Sequence, residues 1–298
     1  MSPTRIAVLT TMAMIAFASN SLLCRAALKD TGIDAASFTA IRLIAGALAL
    51  WLIVKTVPAR SAQSASAGNW LSAFALFAYA ACFSFAYIQL TAATGALLLF
   101  GAVQASMITY GLFKGERLRS QQILGLISAT SGLIVLLLPG LAAPPLPSAM
   151  LMIAAGIAWG VYSLRGKSIN TATSNTGSDA TAVTAGNFLR AVPFALVLSV
   201  VTMASASVDY SGIALAVASG ALASGIGYTI WYSALPGLGA TTAATVQLSV
   251  PLITAIGGVL LLGETLTLRL AIAAIAILGG IALVALHKAK PMAPVRPS

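Results

Sequence analysis

About ten stretches of roughly 20 apolar residues follow one another along this chain, separated by short links, and that succession decides what it can fold into. They run from Arg5 to Leu28, Ala35 to Lys55, Asn69 to Leu90, Thr94 to Phe113, Gln122 to Leu138, Pro147 to Leu164, Thr181 to Met203, Ser211 to Leu235, Thr241 to Leu262 and Leu268 to His287. In hydrocarbon every backbone amide needs a partner within its own segment, so stretches of this length are helices. Strands of a membrane barrel would alternate apolar and polar residues, which Leu133 to Leu138 does not. With 59% hydrophobic and 7% charged residues, a soluble globular domain, a disordered chain and a disulfide scaffold are excluded. The expectation is an all-α integral membrane protein of ten transmembrane helices.

Ile6 to Ala18 is short enough to pass for a secretory leader, but nine further spans follow and Leu23, ahead of Cys24, is not a small cleavage-site residue. It reads as a retained first helix. Cys24 and Cys82 lie in apolar runs without a His or a second Cys at metal-binding spacing, so they read as small buried hydrophobes; no metal or cofactor is expected.

A net charge of +10 in a soluble protein would raise nucleic-acid binding first. Here the cations fall between spans. Arg5, Lys55, Arg60, Lys114, Arg117, Arg119, Arg165, Lys167, Lys288, Lys290 and Arg296 fall on one side of the membrane, against Arg25, Lys29 and Arg269 on the other. By the positive-inside rule both termini are then cytoplasmic, in a bacterial-type inner membrane. The expected partners are the lipid bilayer and a small-molecule substrate, with no nucleic acid. A monomer is compatible with this, and the oligomeric state stays open.

The chain also repeats itself. Phe17 and Arg25 of the first span correspond to Trp159 and Lys167 of the sixth, and Thr39-Ala40 to Thr184-Ala185. Gly115-Glu116-Arg117-Leu118 after the fourth span is echoed by Gly263-Glu264-Thr265-Leu266 after the ninth. Residues 1–140 and 147–288 therefore read as two five-helix units joined by the proline-rich stretch Pro139 to Pro147, with 289–298 as a cytoplasmic tail. Because five is odd, the second unit is inverted relative to the first, the arrangement from which alternating access around a central cavity follows.

These features, with the aromatic-small starts Phe17-Ala18 and Trp159-Gly160, Arg42 in the second span and the Gly-Glu-x-Leu ends, resemble the drug/metabolite transporter superfamily. Within it the chain is similar to the EamA-like exporters, and among those to the YddG-type exporters of aromatic amino acids. The resemblance implies a secondary transporter with a central cavity. Pro251 in the ninth span faces Val103 at the equivalent place in the fourth, so the two halves are expected to bend unequally.

Candidate site residues follow from the cost of polarity in lipid. Arg42 and Arg190 lie inside spans that contain no acid, so each must find helix-end carbonyls, polar side chains or a substrate carboxylate. Arg42 is near enough to the outer end to snorkel. Asn20, Gln104, Asn187 and Gln247 need partners inside the bundle; Gln247 precedes Pro251, which frees a carbonyl beside it, while Asn20 and Asn187 suit bonds between helices. Tyr79, Phe83 and Tyr87 form one face of the third span, and Phe100, Trp159, Tyr162, Tyr228 and Trp231 lie deep in theirs, where they serve either a ring-lined pocket for a planar solute or ordinary packing. Trp51, Trp70, Phe113 and Tyr210 sit at span ends as interfacial anchors. Gly156 with Gly160 and Gly111 with Gly115 suit close helix packing, and Glu116 and Glu264 are expected to fix helix-end geometry.

An intramembrane enzyme would need paired acids or a histidine cluster, and His287 is the single histidine, at a span end. No phosphate-binding loop is present to drive transport directly with ATP. The function expected is export of small organic solutes, most of all aromatic or apolar amino acids, with a broad drug or metabolite exporter as the alternative and a channel or receptor as the different class.

Overall fold

The structure, a computed structural model, describes residues 2–56, 68–115, 119–140, 143–172, 180–238, 243 and 246–286, side chains excepted at 167–172, 236 and 285. Glu116, Arg117, Leu118, Asp179, His287 and the tail lie outside the described residues, as do residues 57–67, Arg60 among them. Among those described there is no strand.

The helices are α1 (Pro3–Asp30), α2 (Ala35–Thr56), α3 (Trp70–Tyr87), α4 (Ala92–Phe113), α5 (Ser120–Leu137), α6 (Leu146–Ala172), α7 (Ala180–Val201), α8 (Tyr210–Ala234), α9 (Ser249–Leu262) and α10 (Leu268–Leu286). Eight are long and apolar enough to cross a membrane, and α9 and α10 are shorter apolar helices. Each start has its own local cause. Ser2 caps α1 with Pro3 as the first helical residue, Asn69 accepts from the Ser72 N–H at 2.8 Å, Thr91 caps α4, and Asp209 accepts from the Gly212 N–H at 3.1 Å. Gly263, with φ 61°, stops α9 in the left-handed region, and the Glu264 N–H turns back to the Gly258 carbonyl at 3.0 Å.

α8 departs from the expected single α-helix. Ala218–Ile226 is wound as π-helix, and this wider turn brings Ser219, Gly220 and Ser224 onto the buried side. A Cβ on Gly220 would lie 2.1 Å from the Arg42 carbonyl oxygen, so only glycine lets α8 pass α2 this closely.

Helix packing crosses between the halves. α1 packs on α8 and α9 as α6 packs on α3 and α4; α2 packs on α8 as α7 packs on α3; α2 with α7, α4 with α9 and α5 with α10 pair directly. This network maps onto itself when each helix is exchanged with the one five places along. The α5–α10 pair closes on small residues, Gly125 and Gly132 against Ala273, Ala276 and Gly280, and Ser128 Oγ donates to the Ala276 carbonyl at 3.0 Å. Trp70, Phe113 and Tyr210 are 59%, 86% and 93% exposed at helix ends.

Candidate functional site

Where the helices of the two halves meet, a cavity is lined by Phe17, Asn20 and Ser21 of α1, Tyr79 and Phe83 of α3, Leu99, Phe100 and Val103 of α4, Trp159 of α6, Ala223, Ser224 and Tyr228 of α8, and Gln247 just ahead of α9. Its volume is about 40 Å³, room for about three water molecules and not for an amino acid. No acid lines it.

A buried polar chain runs along one wall. Ser219 Oγ, presented by the π turn, donates to Asn20 Oδ1 at 2.6 Å, and Asn20 Nδ2 donates to Tyr79 Oη at 3.1 Å. Arg42 Nη2 donates to the same phenol oxygen at 3.0 Å. The guanidinium lies 5.3 Å from the Tyr79 ring centre and 4.9 Å from that of Phe83, in the cation–π range. Arg42 therefore does not snorkel: it is 3% exposed, held inside the bundle behind the Tyr79–Phe83 wall, and among the described residues its Nη1 has no hydrogen-bond partner.

The aromatic side chains form a continuous ladder. Tyr87, Phe83, Tyr79, Trp159 and Tyr228 follow one another at centroid distances of 4.7, 5.3, 4.8 and 5.5 Å, and Trp159 stacks on Tyr228 at 28°. Phe17 reaches the same Tyr228 ring at 5.4 Å. Phe17 and Trp159, met in the sequence as repeat partners, thus flank one ring from opposite halves. Such contacts pack the core and offer stacking faces wherever the ladder borders the cavity.

Two sets of polar contacts join helices of the two halves, one towards each end of the bundle. At the end reached by the last turn of α1, Arg25 Nε meets Glu264 Oε1 at 3.2 Å, and Arg25 Nη1 donates to the Tyr87 and Ile88 carbonyls at 2.9 and 3.0 Å. Glu264 Oε2 accepts the Ala92 N–H at 2.8 Å, the first turn of α4. Lys29 Nζ adds a bond to the Leu262 carbonyl at 2.8 Å. Also at this end Asp34 Oδ1 accepts the Ala36 and Ser37 N–H groups while Oδ2 accepts that of Ser207, tying the α1–α2 and α7–α8 links. Burial works to raise the Asp34 pKa, but hydrogen bonds from the Ser37 side chain and from the Ser207, Ser37 and Ala36 amides outweigh it and hold the carboxyl below its ordinary range. At the opposite end Arg165 donates to Ser72 Oγ and Asn69 Oδ1, both at 3.2 Å, and the Asn69 N–H donates to Asn187 Oδ1 at 2.9 Å. Asn187 Nδ2 then donates to Tyr162 Oη at 3.4 Å.

Of the candidate residues, Asn20, Tyr79, Phe83, Phe100, Trp159, Tyr228 and Gln247 border the cavity. Asn20 at once bonds between helices and faces the pocket. The α-helix starts afresh at Ser249, just after Gln247, where Pro251 withholds the N–H that would meet the Gln247 carbonyl. Tyr87 and Tyr162 are buried outside the lining: Tyr87 donates to the Ala92 carbonyl at 3.3 Å, and Tyr162 packs on Trp159 at 5.6 Å. Gln104 is half-buried on α4 and also outside it. Arg190 sits on its own helix, Nη1 donating to the Gly186 carbonyl at 3.1 Å. Sequence reasoning did not single out Ser21, Ser224 or the π turn, and no pattern in the sequence signals them.

The family model described as the EamA-like transporter family matches residues 146–286. An uncharacterized protein of Pseudomonas aeruginosa, PA1977, is 55% identical over 282 residues, covering 94% of each chain. A protein of known crystal structure, 21% identical, superposes with a TM-score of 0.64 over 94% of this chain and 98% of its own, a likeness of fold.

Proposed function

We propose, from the premise that this chain belongs to the EamA-like transporter family, that it is a secondary exporter of small organic solutes with an aromatic or apolar body, amino acids of that kind foremost. Members of the family are multi-pass membrane transporters of small solutes and not enzymes, so what needs explaining is binding and release. The observation that carries the reading is the cavity where helices of the two halves meet, lined by rings and, among the described residues, by no acid.

The packing network that survives exchange of each helix with its fifth successor supports two inverted five-helix repeats, residues 1–140 and 147–288. In such a pair each half can take the other's conformation, which opens the cavity to one side and then the other. We place both termini in the cytoplasm, following the cation count, so that the Arg25–Glu264 end is outermost. Stacking faces tolerate many planar solutes, which favours a broad metabolite exporter as the second reading.

The test is uptake into proteoliposomes of a labelled solute with counterflow against a panel of Phe, Trp, Tyr, small amino acids, nucleobases and organic cations. The reading expects saturable exchange with ring-bearing members competing best. Competition by organic cations equal to that by aromatic amino acids would move the assignment to the broad exporter. Non-saturable flux would assign a channel instead.

A further inference from the structure

The polar wall of the cavity is built from donors that all face one way. Ser219 donates to Asn20, and Asn20 and Arg42 both donate to the Tyr79 oxygen. With two donors already on its oxygen, the phenol is left to give its own proton outward, and Tyr79 borders the cavity. Arg42 behind it is permanently charged, almost wholly buried, and short of an acceptor at Nη1. The six acids of the sequence, Asp30, Asp34, Glu116, Asp179, Asp209 and Glu264, all lie at span ends or in links, so none supplies the counter-charge inside the membrane.

Resting on the reading of this cavity as the transport site, we propose that it takes an aromatic monocarboxylate anion. The carboxylate docks on the Tyr79 hydroxyl and completes Arg42 as the pocket widens, and the ring stacks on Trp159 and Tyr228. The inference keeps the cavity and the ring of that reading and changes the head group: an amino acid brings the same carboxylate, but its ammonium group enters a pocket that lies beside a buried cation and has, among the described residues, no acid to receive it. The amine-free acid matches the site's charge; the zwitterion does not.

Three probes that share one ring and chain length decide it: 3-phenylpropionate, L-phenylalanine and phenethylamine. Each is titrated into the purified full-length protein, following tryptophan fluorescence and the unfolding temperature, and each is used as competitor in the proteoliposome assay. The expected order is 3-phenylpropionate first, L-phenylalanine weaker by about tenfold or more, and phenethylamine without effect. Arg42→Gln keeps donors and removes the charge, and should bring the three probes within about threefold of one another. Should that variant fail to fold, Tyr79→Phe keeps the guanidinium and the ring; it should weaken 3-phenylpropionate about tenfold and neutral 3-phenylpropionamide by only about threefold, the loss of a neutral hydrogen bond. Phenylalanine or phenethylamine binding as tightly as the acid would overturn the proposal, and so would a preference for the acid that survives Arg42→Gln, or 3-phenylpropionate binding unchanged in Tyr79→Phe. Saturable transport of other solutes with none of the three bound would overturn it and leave the exporter reading standing, whereas no saturable transport of any solute defeats that reading itself.

Discussion

Replacing Glu264 by Gln tests whether the Arg25–Glu264 contact holds the outer end closed. Glu264 joins three segments: it pairs with Arg25 of α1 at 3.2 Å, accepts the first-turn amide Ala92 of α4 at 2.8 Å, and follows α9 directly. Two unit charges 4 Å apart attract by about 4 kcal/mol at an effective dielectric constant of 20, much of which is offset by the cost of desolvating them. Glutamine keeps an acceptor for Ala92, so what is lost is the difference between charged and neutral hydrogen bonds plus the stranding of Arg25, together about 2 kcal/mol. A contact made only in the outward-closed form therefore shifts the equilibrium toward the outward-open form by about 30-fold when removed. Cys24, fully buried and one residue from Arg25, reports the opening. In a Cys82→Ser background, its reaction with a membrane-impermeant maleimide added outside should quicken by about 30-fold in Glu264→Gln. A labelling rate within about twofold of the parent, in protein of unchanged unfolding temperature, would refute the contact as a closure.

Three further perturbations test the packing and the links. Gly220→Ala places a methyl group 2.1 Å from the Arg42 carbonyl and should cost about 1–3 kcal/mol, read as a lower unfolding temperature in detergent. Asp34→Ala removes the bonds to Ala36, Ser37 and Ser207 and should cost about 1–2 kcal/mol by chemical denaturation. Because the folded-state pKa of Asp34 is lowered, its stabilisation is complete above the unfolded carboxylate value of about 3.9 and fades as pH falls through the lower folded value; Asp34→Asn should flatten that part of the stability profile, measured as unfolding temperature from pH 6 down to pH 3. Trp159→Ala breaks the ring ladder between Tyr79 and Tyr228 and should reduce exchange of aromatic solutes by about tenfold while sparing small aliphatic ones, measured by counterflow.

The spans were legible because hydrocarbon demands helices of a certain length, and that demand is written in hydropathy alone. How those helices pack was not. A soluble helix carries an apolar stripe, but here lipid-facing Leu124 and Ile275 are as apolar as buried Leu97 and Ile277, so no stripe marks the interior. Arg42 illustrates the limit: its distance from the span end allowed snorkelling, and only the approach of Tyr79, 37 residues on, shows the guanidinium turned inward. Glu264 was legible as a helix-end residue, whereas its partner Arg25 lies 239 residues earlier and no local pattern couples them. Phe17 carried a usable signal, its repeat relation to Trp159, which places both against Tyr228.

A closure at one end means little unless the other end opposes it, and Asn69 makes that opposition testable. Its carboxamide oxygen caps α3 at 2.8 Å and receives Arg165 of α6 at 3.2 Å, while its N–H holds Asn187 of α7 at 2.9 Å. Asn69→Ala loses the cap and the arginine contact, about 2 kcal/mol in all, at the end of the bundle opposite Glu264, which the proposed orientation makes the inner one. A general loosening of the bundle would expose Cys24 further when Asn69→Ala is added to Glu264→Gln. Two opposed closures predict the reverse: freeing the inner end populates the inward-open form at the expense of the outward-open one. Outside labelling of Cys24 in the double variant should then fall back by about threefold or more from the Glu264→Gln rate, although the double variant is less stable than either single one. Faster labelling in the double variant would show that the two networks hold the fold together without dividing the transport cycle between them.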